Sequence, residues 1–337
     1  MSEPLASFIT AHAKSSTHLP PACIQISPLD PTCILLGTYL LDDTATTLQT
    51  RKTGTIERWK YHENEKHLEL LQTVPAPGAI LDLKFSPHSP STIAIATTLG
   101  CIHIYTLSAD TLTVSPTPTQ TLFVGTSDED LILSLNFSPT NPTEIAFTTT
   151  AGQVGFVDIT SAEEARRWDT HDLEAWTCEY TRDGHGLYSG GDDSVITFRD
   201  LRAGMESWRD RKTHGAGVTA VLCSPELEAK GEMVSGSYDE VVRVWDVRGV
   251  RRRVVDEVGV GGGAWRVGQM GVGMWVVSGM QAGPRVVRRG EEGGLEVVME
   301  WEAMNLNYGC AWMEERPERV FWCSFYDKVV CVDDVKF

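Results

Sequence analysis

The stretch Ser235-Gly236-Ser237-Tyr238-Asp239-Glu240-Val241-Val242-Arg243-Val244-Trp245-Asp246 decides the fold of this chain of 337 residues. It has the pattern of a strand end, a tight turn rich in Gly and Asp, and a second strand of alternating character that ends in Trp-Asp. Less complete copies recur along the sequence, which indicates a repeated β unit rather than a succession of unrelated elements.

An apolar residue followed by Ser-Pro marks the end of one strand in most units. The signature occurs at Ile26-Ser27-Pro28, Phe85-Ser86-Pro87, Phe137-Ser138-Pro139 and Cys223-Ser224-Pro225, and Tyr180 to Asp183 fills the remaining place in that series. The spacing of the later copies matches the period of about 40–45 residues of a WD-repeat blade. Insertions from Leu40 to Gly54 and from Asp110 to Gln120 lengthen the earlier units.

A turn follows the second strand of every unit. The turns are Gly37-Thr38-Tyr39, Thr98-Leu99-Gly100, Thr150-Ala151-Gly152, Gly190 to Asp193, Gly236 to Asp239, Ser278-Gly279-Met280 and Phe325-Tyr326-Asp327. Helical periodicity is nearly absent, since only Ser161 to Arg167 shows it and that segment is short enough for a turn. The sequence therefore predicts an all-β fold, a seven-bladed WD-repeat β-propeller.

We expect a single domain over residues 1–337, with blades near 22–75, 79–120, 130–170, 174–212, 217–257, 263–302 and 307–337. The last unit ends after its third strand, so its fourth strand must come from elsewhere. Residues 5–10 precede the first unit, and we predict that this N-terminal segment closes the ring and removes a free sheet edge. The glycine-rich tract Val258 to Gly263 is interpreted as the connection between the fifth and sixth units.

Composition and charge exclude several classes of function. The net charge of −17 disfavours nucleic-acid binding, because an acidic surface repels phosphate. No apolar run approaches the roughly 18 residues of a membrane span, and the N-terminus lacks the features of a secretory signal. The eight cysteines are scattered without a C-x-x-C pair, which favours reduced thiols. We therefore expect a cytoplasmic monomer that binds neither nucleic acid nor membrane and uses no metal or other cofactor.

Alignment of the innermost strands on their Ser-Pro ends predicts which side chains face the central channel, because side chains alternate along a strand. One column carries Asp82 and Arg266, and Lys84 lies two residues after Asp82. Aromatic residues begin several of these strands, and tyrosines lie in the turns that should share the same rim; they are Trp176, Trp265, Tyr308, Tyr39, Tyr238 and Tyr326. This pattern is compatible with a pocket that has an aromatic wall and a few charges. It is equally compatible with aromatics that cap the core between blades and charges that are merely solvated.

His214, Ser235, Asp239 and Trp245 have the residue types of a catalytic triad. In a WD-repeat blade the same spacing is typical of a structural tetrad that ties a loop to a turn and to the third strand. His171, Ser189 and Asp193 repeat it one unit earlier, with Arg199 in place of the tryptophan, and repetition favours the structural interpretation. The G-x-S-x-G, Walker and H-E-x-x-H motifs are absent from the sequence.

Several segments together resemble a known family. They are Gly37-Thr38-Tyr39, Ile80 to Lys84, Ser189 to Asp193, Gly236 to Glu240, Gly261 to Arg266, Leu306 to Trp312 and Cys323 to Asp327. The chain resembles the WD-repeat diphthine methyl ester hydrolases of diphthamide biosynthesis over nearly its whole length. The resemblance implies removal of a methyl ester from methylated diphthine, a modified histidine of translation elongation factor two, which would be the protein partner. Gln281 stands where the family pattern has a histidine.

The resemblance gives the channel residues specific roles. The trimethylammonium group of such a substrate favours an aromatic cage, worth about 2 kcal/mol when desolvated. The predicted cage residues are Trp176, Trp265, Tyr308, Tyr39 and Tyr326. Asp82 is predicted to activate a water that attacks the ester directly, and Arg266 or Lys84 to stabilise the oxyanion. The alternative is a non-catalytic WD-repeat interaction scaffold or adaptor, which would present a broad rim instead of a concave pocket.

Overall fold

A computed structural model describes residues 8–45, 47, 51–127, 130–161, 166–249, 251–290, 293–313, 315–316 and 318–336. Its strands form seven antiparallel sheets, each built from strands that are consecutive in the chain except where the N-terminal strand joins the last sheet. The predicted fold class, a seven-bladed β-propeller, is confirmed.

The chain opens with β1 (Phe8–Ser16), which belongs to the last blade. The first blade contains β2 (Pro21–Ser27), β3 (Asp30–Thr38), β5 (Lys52–His62) and β6 (His67–Ala76), with β4 (Leu40–Leu41) paired to the start of β5. The second contains β7 (Ile80–Ser86), β8 (Ser89–Thr97), β9 (Cys101–Thr106) and β10 (Gln120–Phe123). The third contains β11 (Ile132–Phe137), β12 (Glu144–Thr149), β13 (Gln153–Asp158) and β14 (Arg166–Asp169).

The remaining blades repeat the pattern. The fourth contains β15 (Ala175–Tyr180), β16 (Gly186–Gly191), β17 (Ile196–Asp200) and β18 (Met205–Asp210). The fifth contains β19 (Val218–Leu222), β20 (Glu232–Ser237), β21 (Val241–Asp246) and β22 (Arg253–Gly259). The sixth contains β23 (Arg266–Gly271), β24 (Met274–Ser278), β25 (Pro284–Arg289) and β26 (Leu295–Glu300). The seventh contains β27 (Asn307–Ala311), β28 (Arg319–Ser324) and β29 (Val329–Lys336), completed by β1.

Buried apolar side chains fill the spaces between blades rather than one central core. Seven clusters each combine residues of two neighbouring blades, so that every blade is held from both sides. The seventh interface joins the last blade to the first and includes Trp59 and Phe321, both buried. All eight cysteines are free thiols.

The N-terminal strand closes the ring as predicted, although its position differs from the prediction. β1 pairs antiparallel with β29 from Phe8 opposite Lys336 to Ser16 opposite Val329. It therefore continues six residues beyond Thr10, where the predicted strand 5–10 ends. The predicted residues 5–7 lie outside the described residues. The longer strand gives the last blade a complete outer edge.

Buried Asp333 secures the closure. Its Oδ2 accepts hydrogen bonds from the indole nitrogens of Trp301 at 2.7 Å and Trp322 at 2.6 Å. The backbone N–H of His12, at a bulge in β1, also bonds to this carboxylate. One side chain on β29 thus holds the N-terminal strand, β28 and the segment that follows the sixth blade. We call Asp333, Trp301 and Trp322 the closing clasp.

A short helix, α1 (Pro225–Lys230), lies in the fifth blade, where the sequence pattern predicts a turn between strands. Ser224 caps it by accepting a hydrogen bond from the N–H of Leu227, and Gly231 ends it in the left-handed conformation at φ 68°. A serine before a proline at the first helical position, with a glycine after the last turn, is a helix signal that periodicity alone overlooks in six residues.

Candidate active site

A bulge near the start of the innermost strand sets one residue of each blade at the mouth of the channel. The bulges occur in six of the inner strands, in β2, β7, β11, β15, β19 and β27. A bulge redirects its side chain out of the regular alternation. The residues concerned are Ala22, Leu81, Leu133, Trp176, Thr219 and Tyr308. Trp265 takes the same place just before β23, where its N–H bonds to the carbonyl of Ser278 at 2.9 Å.

A second row of residues follows the second strand of each blade. In six blades the N–H of the residue directly after the second strand donates to a backbone carbonyl of the same blade. The acceptor is the residue two positions before the bulge residue described above, and the N···O distances are 2.8 to 3.1 Å. The same bond in blade after blade makes these positions equivalent. They are Tyr39, Thr98, Thr150, Asp192, Tyr238 and Phe325. The two rows together form the rim of the channel.

The aromatic members of the two rows form a continuous chain of ring contacts. Trp265 is its centre, with ring centroids 5.5 Å from Trp176, 5.9 Å from Tyr238 and 5.1 Å from Tyr308. Phe325 continues the chain at 5.2 Å from Tyr308 and 6.1 Å from Tyr39. We call Trp176, Tyr238, Trp265, Tyr308, Phe325 and Tyr39 the aromatic arc. Because Trp176 and Trp265 belong to the fourth and sixth blades, their contact shows that the rings converge on the channel.

The arc occupies one side of the mouth and is partly open to solvent. Its two tryptophans and Tyr308 are half-buried. The second and third blades contribute Leu81, Leu133, Thr98 and Thr150 to the same rows, so aromatic rings are missing from that side of the described rim. Burial raises the pKa values of Tyr238 and Tyr308, which keeps both phenols neutral at physiological pH. The mouth therefore has one aromatic wall and one aliphatic wall.

Four of the five predicted cage residues belong to the aromatic arc, and the fifth, Tyr326, lies at its margin. Trp176, Trp265, Tyr308 and Tyr39 belong to the arc, whereas Tyr326 is 67 % exposed and touches the arc through Phe325, at 5.0 Å. Phe325 was missing from the prediction, and Tyr238 was placed on the rim without a role. An alignment extended to the residue after each second strand would have found Phe325 as well.

Arg266 lies inside the mouth. Its guanidinium carbon is 4.7 Å from the ring centroid of Trp265, which is a cation–π contact. Its Nη1 donates to the carbonyls of Thr219 at 3.3 Å and Trp265 at 3.1 Å. Within the described part of the chain its Nε and Nη2 donate no hydrogen bond, so they are available to a ligand. Arg266 therefore presents a fixed cation with free donors beside the arc.

Asp192 adds a carboxylate to the same rim. Its Oδ1 accepts a hydrogen bond from the indole nitrogen of Trp176 at 2.9 Å, and it is only partly buried. Its Oδ2 accepts no hydrogen bond from any described residue. Asp192 is absent from the residues predicted for the site, although it directly precedes Asp193 in the turn. Its position corresponds to Tyr238 and Phe325 in later blades, which is the signal that marks it as a rim residue.

Asp82 lies deeper and is 2 % exposed. Its Oδ1 accepts the N–H of Leu83 at 3.0 Å, and its Oδ2 accepts the N–H of Leu135 at 3.1 Å and the hydroxyl of Ser134 at 3.3 Å. Lys84 Nζ lies 3.9 Å from Oδ1. Asp82 thus links the second blade to the third, and its role as a base stays a prediction that these contacts disfavour. Both oxygens already have donors, which leaves a water little access.

The opposite end of the channel holds a separate polar cavity of about 160 Å³, lined by Lys84, Asn136, Glu179 and Arg182 among others. Asn136 Nδ2 donates to Glu179 Oε2 at 2.5 Å. Burial raises the pKa of Glu179 to about 7, and the positive charge of Lys84 opposes the shift only in part. Lys84 lines this cavity and also faces Asp82, whereas Arg266 contacts the aromatic arc.

The raised pKa of Glu179 predicts a pH-dependent stability. A carboxyl whose folded pKa exceeds its unfolded value stabilises the fold at low pH, and that contribution is lost as pH rises from about 4.5 to about 7. Glu179→Gln cannot ionise and should therefore be more stable than the parent at pH 8 by about 3 kcal/mol, with little difference at pH 4. Urea unfolding across pH measures the difference. Glu65→Gln, at an exposed position, is the control, and parallel profiles for parent and Glu179→Gln would contradict the prediction.

The His-Ser-Asp set of the fourth blade is connected through hydrogen bonds. His171 Nδ1 lies 3.0 Å from Asp193 Oδ1, and its Nε2 lies 2.8 Å from Ser189 Oγ. The next partner of Ser189 is the hydroxyl of Thr197 at 2.9 Å. Arg199, expected in the place of the tryptophan, instead lies over the ring of Trp168 at 4.2 Å. The buried imidazole ties loop, turn and strand together.

The corresponding set of the fifth blade is less complete. Ser235 Oγ receives the indole N–H of Trp245 at 2.8 Å and lies 3.0 Å from His214 Nε2. Asp239 pairs with Arg243 at 2.9 Å, and His214 Nδ1 has no hydrogen-bond partner among the described residues. Burial, helped by Arg243, lowers the pKa of His214 to about 4. A neutral imidazole without contact to its carboxylate lacks the connections of a catalytic triad.

In the described ranges, no three side chains of His, Cys, Asp or Glu come together in a way that could hold a metal ion. No helix in that part of the chain has the length and apolar character needed to cross a bilayer. Gln281 is exposed in the turn that follows the second strand of the sixth blade.

Comparison with known proteins identifies similar sequences. Residues 207–246 match the family model for the WD domain, G-beta repeat. The chain is 31 % identical to the diphthine methyltransferase of Schizosaccharomyces pombe, covering 89 % of this chain and 90 % of that protein. It is 26 % identical to the diphthine methyltransferase of Saccharomyces cerevisiae, covering 74 % and 76 %. Identity to the human protein of that name is 27 %, over 56 % of this chain and 44 % of that protein.

A solved structure supports the architecture alone. A chain in the crystal structure of the mitotic checkpoint complex superposes with a TM-score of 0.75, covering all of this chain and 96 % of the other. The sequence identity is 14 %, so the similarity extends to the fold and says nothing about the site.

Proposed function

The chain belongs to the diphthine methyltransferase family and is an enzyme of diphthamide synthesis, and we propose that it hydrolyses the methyl ester of methylated diphthine on translation elongation factor two. Water adds to the ester carbonyl and methanol leaves, so that one acyl C–O bond forms and another breaks. The products are a carboxylate, methanol and a proton. The aromatic arc at the mouth of the channel is the observation that carries this proposal.

The arc suits a substrate with a fixed positive charge. A trimethylammonium group is held by the faces of aromatic rings, and desolvated contacts of this kind contribute about 2 kcal/mol or more. Trp265 lies among Trp176, Tyr238 and Tyr308, and Asp192 adds a negative charge at the end of the arc. In the substrate the ester and the trimethylammonium group share one carbon, so a cation held by the arc keeps its ester within a few ångströms of the rim.

Arg266 and Asp192 have the positions needed for the chemistry. The free guanidinium donors of Arg266 would stabilise the oxyanion that forms when water attacks. The free Oδ2 of Asp192 would take a proton from that water, while Oδ1 stays fixed by Trp176. We assign the base to Asp192 rather than to Asp82, because Asp82 is buried and its oxygens are already bonded. Lys84, at the other end of the channel, is left outside this mechanism.

Incubation with methyl-esterified elongation factor two tests the function. We expect methanol release and loss of one CH₂ in the mass of the modified histidine. A mass gain that requires S-adenosylmethionine would instead indicate methyl transfer, as the names of the relatives state. Binding of the substrate protein without turnover would favour the alternative, an interaction scaffold.

Trp265→Ala tests the arc directly. Removing the central ring should raise KM for the esterified protein about thirtyfold, the factor that corresponds to about 2 kcal/mol. Trp265→Phe should retain part of the binding, because a phenyl face still attracts a cation. Trp168→Ala removes a half-buried tryptophan from an outer strand and is the matched control. An unchanged KM in Trp265→Ala would exclude the arc from substrate binding.

A further inference from the structure

Of the eight large apolar side chains that are exposed among the described residues, four lie on the face of the propeller that carries the aromatic arc. Leu41 is 44 % exposed, Phe123 is 55 % exposed and Leu173 is 51 % exposed. Tyr326, at the margin of the arc, belongs to the same face. Side chains of this size are normally buried, and several around one opening are typical of an interaction surface.

The topology places each of them on that face. Leu41 lies in β4, inside the insertion that follows the rim residue Tyr39. Phe123 ends β10, and the next residue, Val124, donates its N–H to the carbonyl of Gly100 in the rim turn of the second blade. Leu173 lies in the connection that leads to Trp176. The three residues therefore lie on the mouth face, in the first blade, in the second blade and in the connection from the third blade to the fourth.

The charge of the same face indicates the chemistry of a partner. The described residues of its loops include clearly more Asp and Glu than Lys and Arg. Acidic residues on the mouth face include Asp43, Asp172, Glu174, Glu240, Glu302 and Asp327. Asp43 and Asp172 are largely exposed, with Arg51 and Arg211 as partners. A partner with apolar contacts and a basic surround complements this face.

We propose that Leu41, Phe123 and Leu173 form a docking surface for the folded substrate protein, which meets it through an apolar patch bordered by basic residues. The inference rests on the proposed function, because the docked protein must present its modified side chain to the arc. The arc binds the cation of that side chain, and the docking surface binds the protein around it. The two parts should therefore contribute separately to recognition.

The triple variant Leu41→Ser, Phe123→Ser, Leu173→Ser tests the docking surface separately from the aromatic arc. We expect KM for methyl-esterified elongation factor two to rise about tenfold with kcat preserved. The affinity for tetramethylammonium, measured by tryptophan fluorescence, should be unchanged because the arc is intact. The double variant Met205→Ser, Val272→Ser removes exposed apolar side chains from the opposite end of the strands and should leave KM unchanged. Because salt screens the attraction between the acidic face and a basic partner, a higher salt concentration should raise KM for the protein substrate.

The outcomes distinguish the two hypotheses. If the parent releases no methanol from the esterified protein, the proposed function fails. If the parent is active and the triple variant has the same KM, the docking surface is wrong. It is equally wrong if the control pair raises KM as much, or if the affinity for tetramethylammonium falls in the triple variant while KM rises.

Discussion

Asp192→Asn is expected to reduce methanol release from methyl-esterified elongation factor two about a thousandfold. Asparagine has nearly the same shape, and its carbonyl oxygen can still accept the indole N–H of Trp176, now at 2.9 Å from Oδ1. What the substitution removes is a base for the attacking water, and positioned general bases contribute roughly 10²–10⁴-fold. The loss should appear in kcat, with KM changed much less, and it should be measured under single-turnover conditions.

Asp82→Asn is the matched comparison, because both residues are carboxylates of the channel. Its amide would turn an N–H₂ towards the N–H groups of Leu83 or Leu135, both of which now donate to the carboxylate. We expect about 2 kcal/mol of lost stability and nearly normal kcat in the folded fraction. The reverse pattern, a stable but inactive Asp82→Asn and an active Asp192→Asn, would return the catalytic role to Asp82 and overturn the assignment made here.

The architecture was predictable because each repeat unit carries the same sequence signals, so the pattern can be recognised in several places along the chain. The Ser-Pro signature and the turn of each unit recur, so a degraded copy such as Tyr180 to Asp183 is recognised from its place in the series. The unpaired last unit also made it predictable that an N-terminal strand closes the ring. The bounds of that strand depend on the clasp at Asp333 and on the bulge at His12, which are tertiary contacts without a sequence pattern of their own.

The site was predictable only in part, for a physical reason. Alternation along a strand predicts which side chains face the channel, whereas Trp176, Trp265 and Tyr308 are predicted on the rim from their position at the starts of the inner strands. Alternation does not say how many backbone donors meet a carboxylate once neighbouring blades pack. That number separates Asp82, which is saturated by its neighbours, from Asp192, which has a free oxygen. Rim residues contributed by turns lie outside the strand period, and because only the tyrosines of these turns serve as the signal in the sequence, Asp192 and Phe325 are not predicted.

Asp333→Asn is expected to destabilise the fold by about 3 kcal/mol through the closing clasp. If the new amide turns its oxygen to the indole groups of Trp301 and Trp322, its N–H₂ faces the backbone N–H of His12, which is also a donor. The opposite orientation sets the N–H₂ against the indoles. Either way a buried donor loses its acceptor, at about 1–3 kcal/mol, and the remaining bonds lose the help of a full charge.

Urea unfolding measures the loss, and hydrogen exchange locates it. Amides of β1 and β29 should exchange faster in Asp333→Asn than those of the third blade, because the damage is confined to the ring closure. Asp334→Asn is the adjacent control. It removes one partner of Arg319, which keeps Glu63 at 2.7 Å, so about 1 kcal/mol or less should be lost. Trp322→Phe takes away one of the donors, and its combination with Asp333→Asn should cost less than the sum of the two. Equal unfolding midpoints for Asp333→Asn and the parent would show that pairing between β1 and β29 holds the ring without the clasp.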